Sequence, residues 1–154
     1  MKLLSLDTST KYFSLAVTDD SRCLAARTMG NDRVLSSKII PALDGIFRKS
    51  GLAPKAVDAV AVGLGPGSFT SLRVGLSTAK GLAYALGKPL IGIPSMDAAA
   101  MNVKKGSADQ ICVMMDARRN MVYTAVYECF EEGIGLVSDY MLADPRKIFQ
   151  FLKG

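Results

Sequence analysis

Gly63-Leu64-Gly65-Pro66-Gly67-Ser68-Phe69-Thr70-Ser71-Leu72-Arg73-Val74-Gly75 is the stretch on which the fold turns. Ahead of it, residues 57–63 (VDAVAVG) form an apolar run of strand length. Behind it, residues 70–86 keep helical spacing until Gly87 stops them. A strand, a glycine loop and a helix in succession place the chain among the α/β folds. The loop also has the ingredients of an anion site, because the first backbone N–H groups of a helix lack internal partners. Gly65 and Gly67 accept positive φ, Pro66 stiffens the turn, and Ser68 or Thr70 is placed to cap the helix. It is not a Walker A loop: no Gly-Lys-Ser/Thr follows, and Arg73 comes one turn later. In the ordinary case a Gly-Pro-Gly turn before a helix is only a tight turn, so the two readings stand side by side.

The helix behind the loop carries two rows of small residues. Ser71, Gly75, Ala79 and Ala83 recur at i, i+4, and Ser77, Gly81 and Ala85 run beside them. Glycine within a helix costs about 1 kcal/mol relative to alanine, so Gly75 and Gly81 need a compensating contact. Packing on the chain's own sheet supplies one, and a helix of a second subunit supplies another. Residues 34–50 predict a further helix, ended by Gly51 and kinked at Pro41. It bears one stripe of Leu35, Ile39, Ala42 and Ile46 and a second of Ile40, Leu43 and Phe47, as a helix covered on two sides would.

Residues 2–6, 12–18 and 22–29 read as an antiparallel meander of three strands, with turns at Asp7–Lys11 and Asp19–Ser21. Leu90–Ile93 is a short strand, and Ser95 caps a helix over residues 96–103, with Asp97 as a first-turn charge. The order to this point is βββαβαβα. Strands at 110–115, 121–127 and 134–142 then start a second series, and Asp144-Pro145 opens a helix through residue 152. Asp7 and Asp116 each end the first strand of a series. Such a βββα repeat with paired acids is the pattern of the actin-like, ribonuclease H-like fold. It implies a first lobe over residues 1–104 and an abbreviated second lobe over 105–154. Asp7, Thr8, Gly65, Gly67 and Ser68 are the candidates for a vestigial phosphate or nucleotide site. Taken alone, however, aspartates at strand ends are turn formers.

The sequence contains no histidine, so Ser-His-Asp, Cys-His and HExxH chemistry are excluded, and no catalytic or metal-ligating set emerges. Cys23, Cys112 and Cys129 fall in strands and form no CxxC pair, which predicts reduced, mostly buried thiols. A net charge of +5 spread over scattered Lys and Arg does not outline an RNA surface. No apolar run reaches the ~18 residues of a membrane span, and the expected setting is the cytoplasm.

Residues 2–9 (KLLSLDTS), the run GLGPGSFTSLRVGLSTAKGLAYAL over Gly63–Leu86, Ile91-Gly92-Ile93-Pro94-Ser95, and Asp116-Ala117-Arg118 followed by Val122-Tyr123 together resemble the TsaB family. That resemblance implies a non-catalytic subunit of the machinery that makes threonylcarbamoyladenosine at tRNA position 37. It implies a homodimer, a TsaD-type catalytic partner, a TsaE-type ATPase in the complex, and tRNA met only indirectly. ATP is then used by the partners and no cofactor is held on this chain. The interface it implies lies on the two helices, at Leu35, Ile39, Ala42, Ile46, Ser71, Leu72, Gly75, Ala79 and Ala83. A charged residue at Gly75 is then expected to abolish association without unfolding the chain. Against the family pattern, Asp32-Arg33-Val34-Leu35-Ser36 lacks the usual histidine, and Ser71 replaces a glycine. The sequence also stops at Gly154, short of a full second lobe. The alternatives are a small actin-like ATP-binding phosphotransferase using Asp7 and Asp116, and the glycoprotease label this group once carried.

Overall fold

Alternation along the second strand decides which face of the first sheet is the core. Phe13, Leu15 and Val17 are buried, while Ser14, Ala16 and Thr18 between them are only half-buried. The computed structural model describes residues 1–30, 35–103 and 108–148. Its first elements are β1 (Lys2–Asp7), β2 (Tyr12–Asp19), β3 (Arg22–Gly30), α1 (Leu35–Ser50), β4 (Ala59–Gly63), α2 (Phe69–Leu86) and β5 (Leu90–Ile93). A short 3₁₀ turn, Pro54–Ala56, leads into β4. The strands order as β3-β2-β1-β4-β5, with β1, β2 and β3 antiparallel and β1, β4 and β5 parallel.

Register stacks the core residues in line. Leu4 pairs with Val17 and with Val60, and Leu6 pairs with Leu15 and with Val62. This face is covered by α1 against β2 and β3 and by α2 against β4 and β1. Each large aliphatic side chain fully buried there contributes about 1.5–3 kcal/mol. Pro41 lies inside α1, which runs through it as one helix. Asp32, Arg33 and Val34 lie outside the described residues. Ser68 caps α2, its hydroxyl accepting from the Ser71 N–H, and Thr70 is inside the helix instead.

The second unit is built around β7. Its elements are α3 (Ser95–Ala100), β6 (Gln110–Asp116), β7 (Val122–Phe130), β8 (Gly133–Leu136), β9 (Met141–Ala143) and α4 (Pro145–Ile148). The chain divides into compact units at Ile93/Pro94, ahead of the 104/105 boundary read from sequence. The reason is that Met96 and Ala100 of α3 pack with Ile111, Ala125 and Tyr127 of the second sheet. Ser95 is the first residue of α3, capped by Pro94, and the helix stops at Ala100. The rest of the helix expected through residue 152 lies outside the described residues.

The strand expected over 134–142 is two strands. β6 takes one edge of β7 along its length, and β8 and β9 share the other. Between them the chain bends, and the Ser138 hydroxyl accepts from the Val126 N–H where a ladder carbonyl would otherwise stand. The cysteines also depart from expectation. All three are free, but Cys23 is exposed and Cys112 and Cys129 are half-buried, because their strand positions fall off the core faces or at their margins.

The bend brings Tyr140 to α3. Asp97, read from sequence as a plain first-turn charge, accepts at one oxygen from the Tyr127 hydroxyl (2.7 Å) and from the Tyr140 hydroxyl (2.8 Å). Burial, and then the Asp97 carboxylate, push both phenols above their ordinary range. The folded chain therefore holds these protons more tightly than the unfolded one. Their contribution to stability is complete below about pH 10, the ordinary tyrosine value, and declines above it. Melting curves against pH are expected to show that decline, and Tyr127→Phe with Tyr140→Phe should flatten it. An identical alkaline limb in the double variant would contradict the assignment.

Candidate functional site

The glycine loop and the turn after β1 hold each other. At the end of β1, Asp7 Oδ1 accepts from the Ser9 N–H at 2.8 Å and from the Ser9 hydroxyl at 2.6 Å. Ser9 is thereby aimed at the loop, and its carbonyl accepts from the Ser68 N–H at 3.1 Å. Gly67 runs directly under it: a Cβ there would stand 2.1 Å from the Ser9 carbonyl oxygen. One residue earlier, Thr8 is buried and donates its hydroxyl to the Ser71 carbonyl at 2.9 Å. Gly75 of α2 lies against Thr8, where a Cβ would be 2.3 Å from Oγ1. Gly65, at φ +90, has Leu72 packed on it.

The sequence candidates Asp7, Thr8, Gly65, Gly67 and Ser68 are thus brought together, joined through Ser9, Ser71 and Leu72. What the arrangement does is lock the N-terminus of α2 to the end of β1. Two of the loop's features, the carbonyl of Ser9 on the Ser68 N–H and the missing Cβ of Gly67, serve contacts within the chain. Asp116 behaves like Asp7, its Oδ1 accepting from the Arg118 N–H two residues on at 2.8 Å. Both paired acids are turn formers, as the residue type alone favoured. Among the described residues no group of three His, Cys, Asp or Glu side chains is placed to hold a metal ion.

Burial sorts the helix rows. Leu35, Ile39, Ala42 and Ile46 belong to the chain's own core, and so do Ala79 and Ala83. Gly75 is buried on Thr8, Ser71 is half-buried and Leu72 covers Gly65. Of the residues that the family resemblance assigned to an interface, Leu35, Ile39, Ala42, Ile46, Gly75, Ala79 and Ala83 are buried within the chain, and Ser71 and Leu72 are half-buried. The opposite row of α2 is the open one. Phe69, Arg73, Ser77, Lys80, Gly81, Tyr84 and Ala85 are exposed, Tyr84 to 91%. The Arg73 guanidinium lies over the Phe69 ring, 4.0 Å from its centroid. A Cβ on Gly81 would meet nothing within 4 Å, so no contact among the described residues explains a glycine there. Spacing alone could have found this row, but periodicity does not say which of two small-residue rows faces in.

Among known proteins, the family model described as "TsaD: tRNA N6-adenosine threonylcarbamoyltransferase" matches residues 31–152. The tRNA threonylcarbamoyladenosine biosynthesis protein TsaB of Escherichia coli is 34% identical over 135 residues, 87% of this chain and 58% of that protein. Its namesake in Haemophilus influenzae is 38% identical over 124 residues, 80% of this chain and 52% of that protein. The chain therefore spans a little over half the length of these curated relatives. Among solved structures, YeaZ from Pseudomonas aeruginosa superposes with a TM-score of 0.85 at 29% identity, covering 94% of this chain and 68% of that one. A more distant likeness is the activator of the 2-hydroxyisocaproyl-CoA dehydratase from Clostridium difficile. Its TM-score is 0.53 at 17% identity, over 94% of this chain and 46% of that one, and it shows the shared actin-like architecture alone.

Proposed function

We propose a role for this chain from the premise that it belongs to the TsaB (YeaZ) family, within the wider family that the TsaD model describes. In that role it is a non-catalytic subunit in the formation of threonylcarbamoyladenosine in tRNA. It pairs with a second copy of itself when alone and with a TsaD-type catalytic subunit in the working complex, which a TsaE-type ATPase joins. Nucleotide and chemistry belong to those partners.

The observation that carries this reading is the outward row of α2. A mid-helix glycine with open space above it, beside a tyrosine that is 91% exposed, is a poor choice for a helix that ends in solvent. It is a good choice for one on which another helix lies. Glycine lets the second backbone come close, and tyrosine offers a large contact area at small entropic cost. The firm lock between the β1 turn and the glycine loop holds this helix at a set angle before the partner arrives, which lowers the ordering cost of association.

Size-exclusion chromatography with light scattering tests the reading. The full chain is expected to elute as a dimer and to shift into a complex when its TsaD-type partner is added. Tyr84→Ala should weaken both associations by about tenfold or more, on the scale of an interface hot spot. A monomer that forms no complex, or a Tyr84→Ala variant that associates like the parent, would count against it.

A further inference from the structure

The hairpin tip between β6 and β7 carries an anomaly of its own. Arg118, Arg119 and Asn120 stand at φ +65, +52 and +58, three successive left-handed residues without a glycine among them. The turn is closed by the Ala117 N–H on the Met121 carbonyl and by the Met121 N–H on the Arg118 carbonyl. Asp116 holds its first N–H. Turns of this hand favour Asn-Gly, Asp-Gly or Gly-Gly, because a Cβ is penalised at positive φ. Only Asn120 suits its place. Two arginines occupy positions where glycine would make a more stable hairpin.

Among the described residues their side chains make no ion pair that offsets this. Local backbone strain that persists without an internal reason is a mark of a functional contact. We propose that this arginine turn binds the phosphate backbone of an RNA strand, the substrate tRNA under the role argued above, on which this inference rests. A guanidinium engages a phosphate through two parallel N–H donors, and neighbouring arginines can reach successive phosphates. Arg118, Arg119 and Asn120 are all exposed, as suits contact with an extended polyanion, and the net charge of +5 favours the encounter. This gives the chain a direct contact with tRNA, where the family resemblance alone implied an indirect one.

The test uses the full chain, alone and assembled with its TsaD-type subunit, and a fluorescein-labelled tRNA anticodon-arm oligonucleotide as the probe. Binding is read by anisotropy over a salt series, and complex formation is read separately by co-elution. Arg118→Gly with Arg119→Gly is expected to weaken RNA binding about tenfold and to cut the slope of log Kd against log salt by about 1.4, two phosphate contacts' worth. Arg118→Lys with Arg119→Lys keeps the charge and loses the two-donor fork, so it should keep the salt slope and bind between the parent and the glycine variant. The double glycine variant should also melt about 2–4 °C higher, since it relieves the turn.

RNA binding that is unchanged in the glycine variant, or absent in the parent in both forms, overturns the inference and leaves the partner reading to its own co-elution result. Parallel loss of RNA binding and of co-elution assigns the arginines to a protein contact and also overturns it. A lower melting temperature removes its premise. Arginine-dependent RNA binding without co-elution supports the inference and sinks the partner reading instead.

Discussion

Gly67→Ala is expected to destabilise the chain by more than about 3 kcal/mol, a large share of the 5–15 kcal/mol that holds an ordinary domain together. The added methyl group would stand 2.1 Å from the Ser9 carbonyl oxygen and 2.7 Å from its carbon, so the obstacle is backbone and cannot rotate away. Relief requires opening the loop. That breaks the Ser68 N–H bond to Ser9 and moves the turn held by Asp7. Gly75→Ala tests the same lock from the helix side. There the obstacle is the Thr8 side chain, with Oγ1 at 2.3 Å and Cγ2 at 2.9 Å. Thr8→Ala in the same chain should therefore recover part of the loss at Gly75 and none of it at Gly67. Chemical denaturation of the four variants measures this. Equal rescue at both sites, or a near-neutral Gly67→Ala, would show that the contact is not as described. The sequence-based expectation for a charged residue at Gly75 is reversed by the same geometry: it should unfold the chain instead of merely blocking association.

Gly81→Arg is expected to do what was first assigned to Gly75. The space over Gly81 is open, and arginine is a far better helix former than glycine, so the isolated chain should melt at the same temperature or higher. Association should fall by roughly 100-fold or more, because a long charged side chain at a close helix contact must be desolvated or must push the partner away. Sedimentation velocity of the chain alone and titration of the TsaD-type partner read the two associations independently. An unchanged dimer and complex would place the interface elsewhere. An unfolded variant would contradict the open space seen over this position.

Most of the first lobe was legible because its signals are local. Phe13, Leu15 and Val17 alternate, Ser68 precedes a helical run, and Gly87 follows one; each needs only its near neighbours in the chain to be read. The second unit was less legible. Residues 134–142 read as one extended run, and only the tertiary pairing divides them, with β8 and β9 on separate stretches of β7 and the Val126–Ser138 bond between. The structure brings the phosphate-cradle candidates to one place, where Gly67 admits the Ser9 carbonyl. That contact was not legible, since a glycine that frees a loop and one that admits a carbonyl look alike in sequence.

What the sequence determined by itself is the order of elements as far as β7, the strand–glycine loop–helix step and the family, all carried by residue types at short, regular spacings. Which side of α2 belongs to the core was decided only by the tertiary structure. Both small-residue rows have the same period, and the group that claims one of them, Thr8 with its hydroxyl on Ser71, comes from 63 residues away. Periodicity is a property of one helix; burial is a property of what folds against it. For Gly75 that contact is Thr8, and for Gly81 there is none among the described residues.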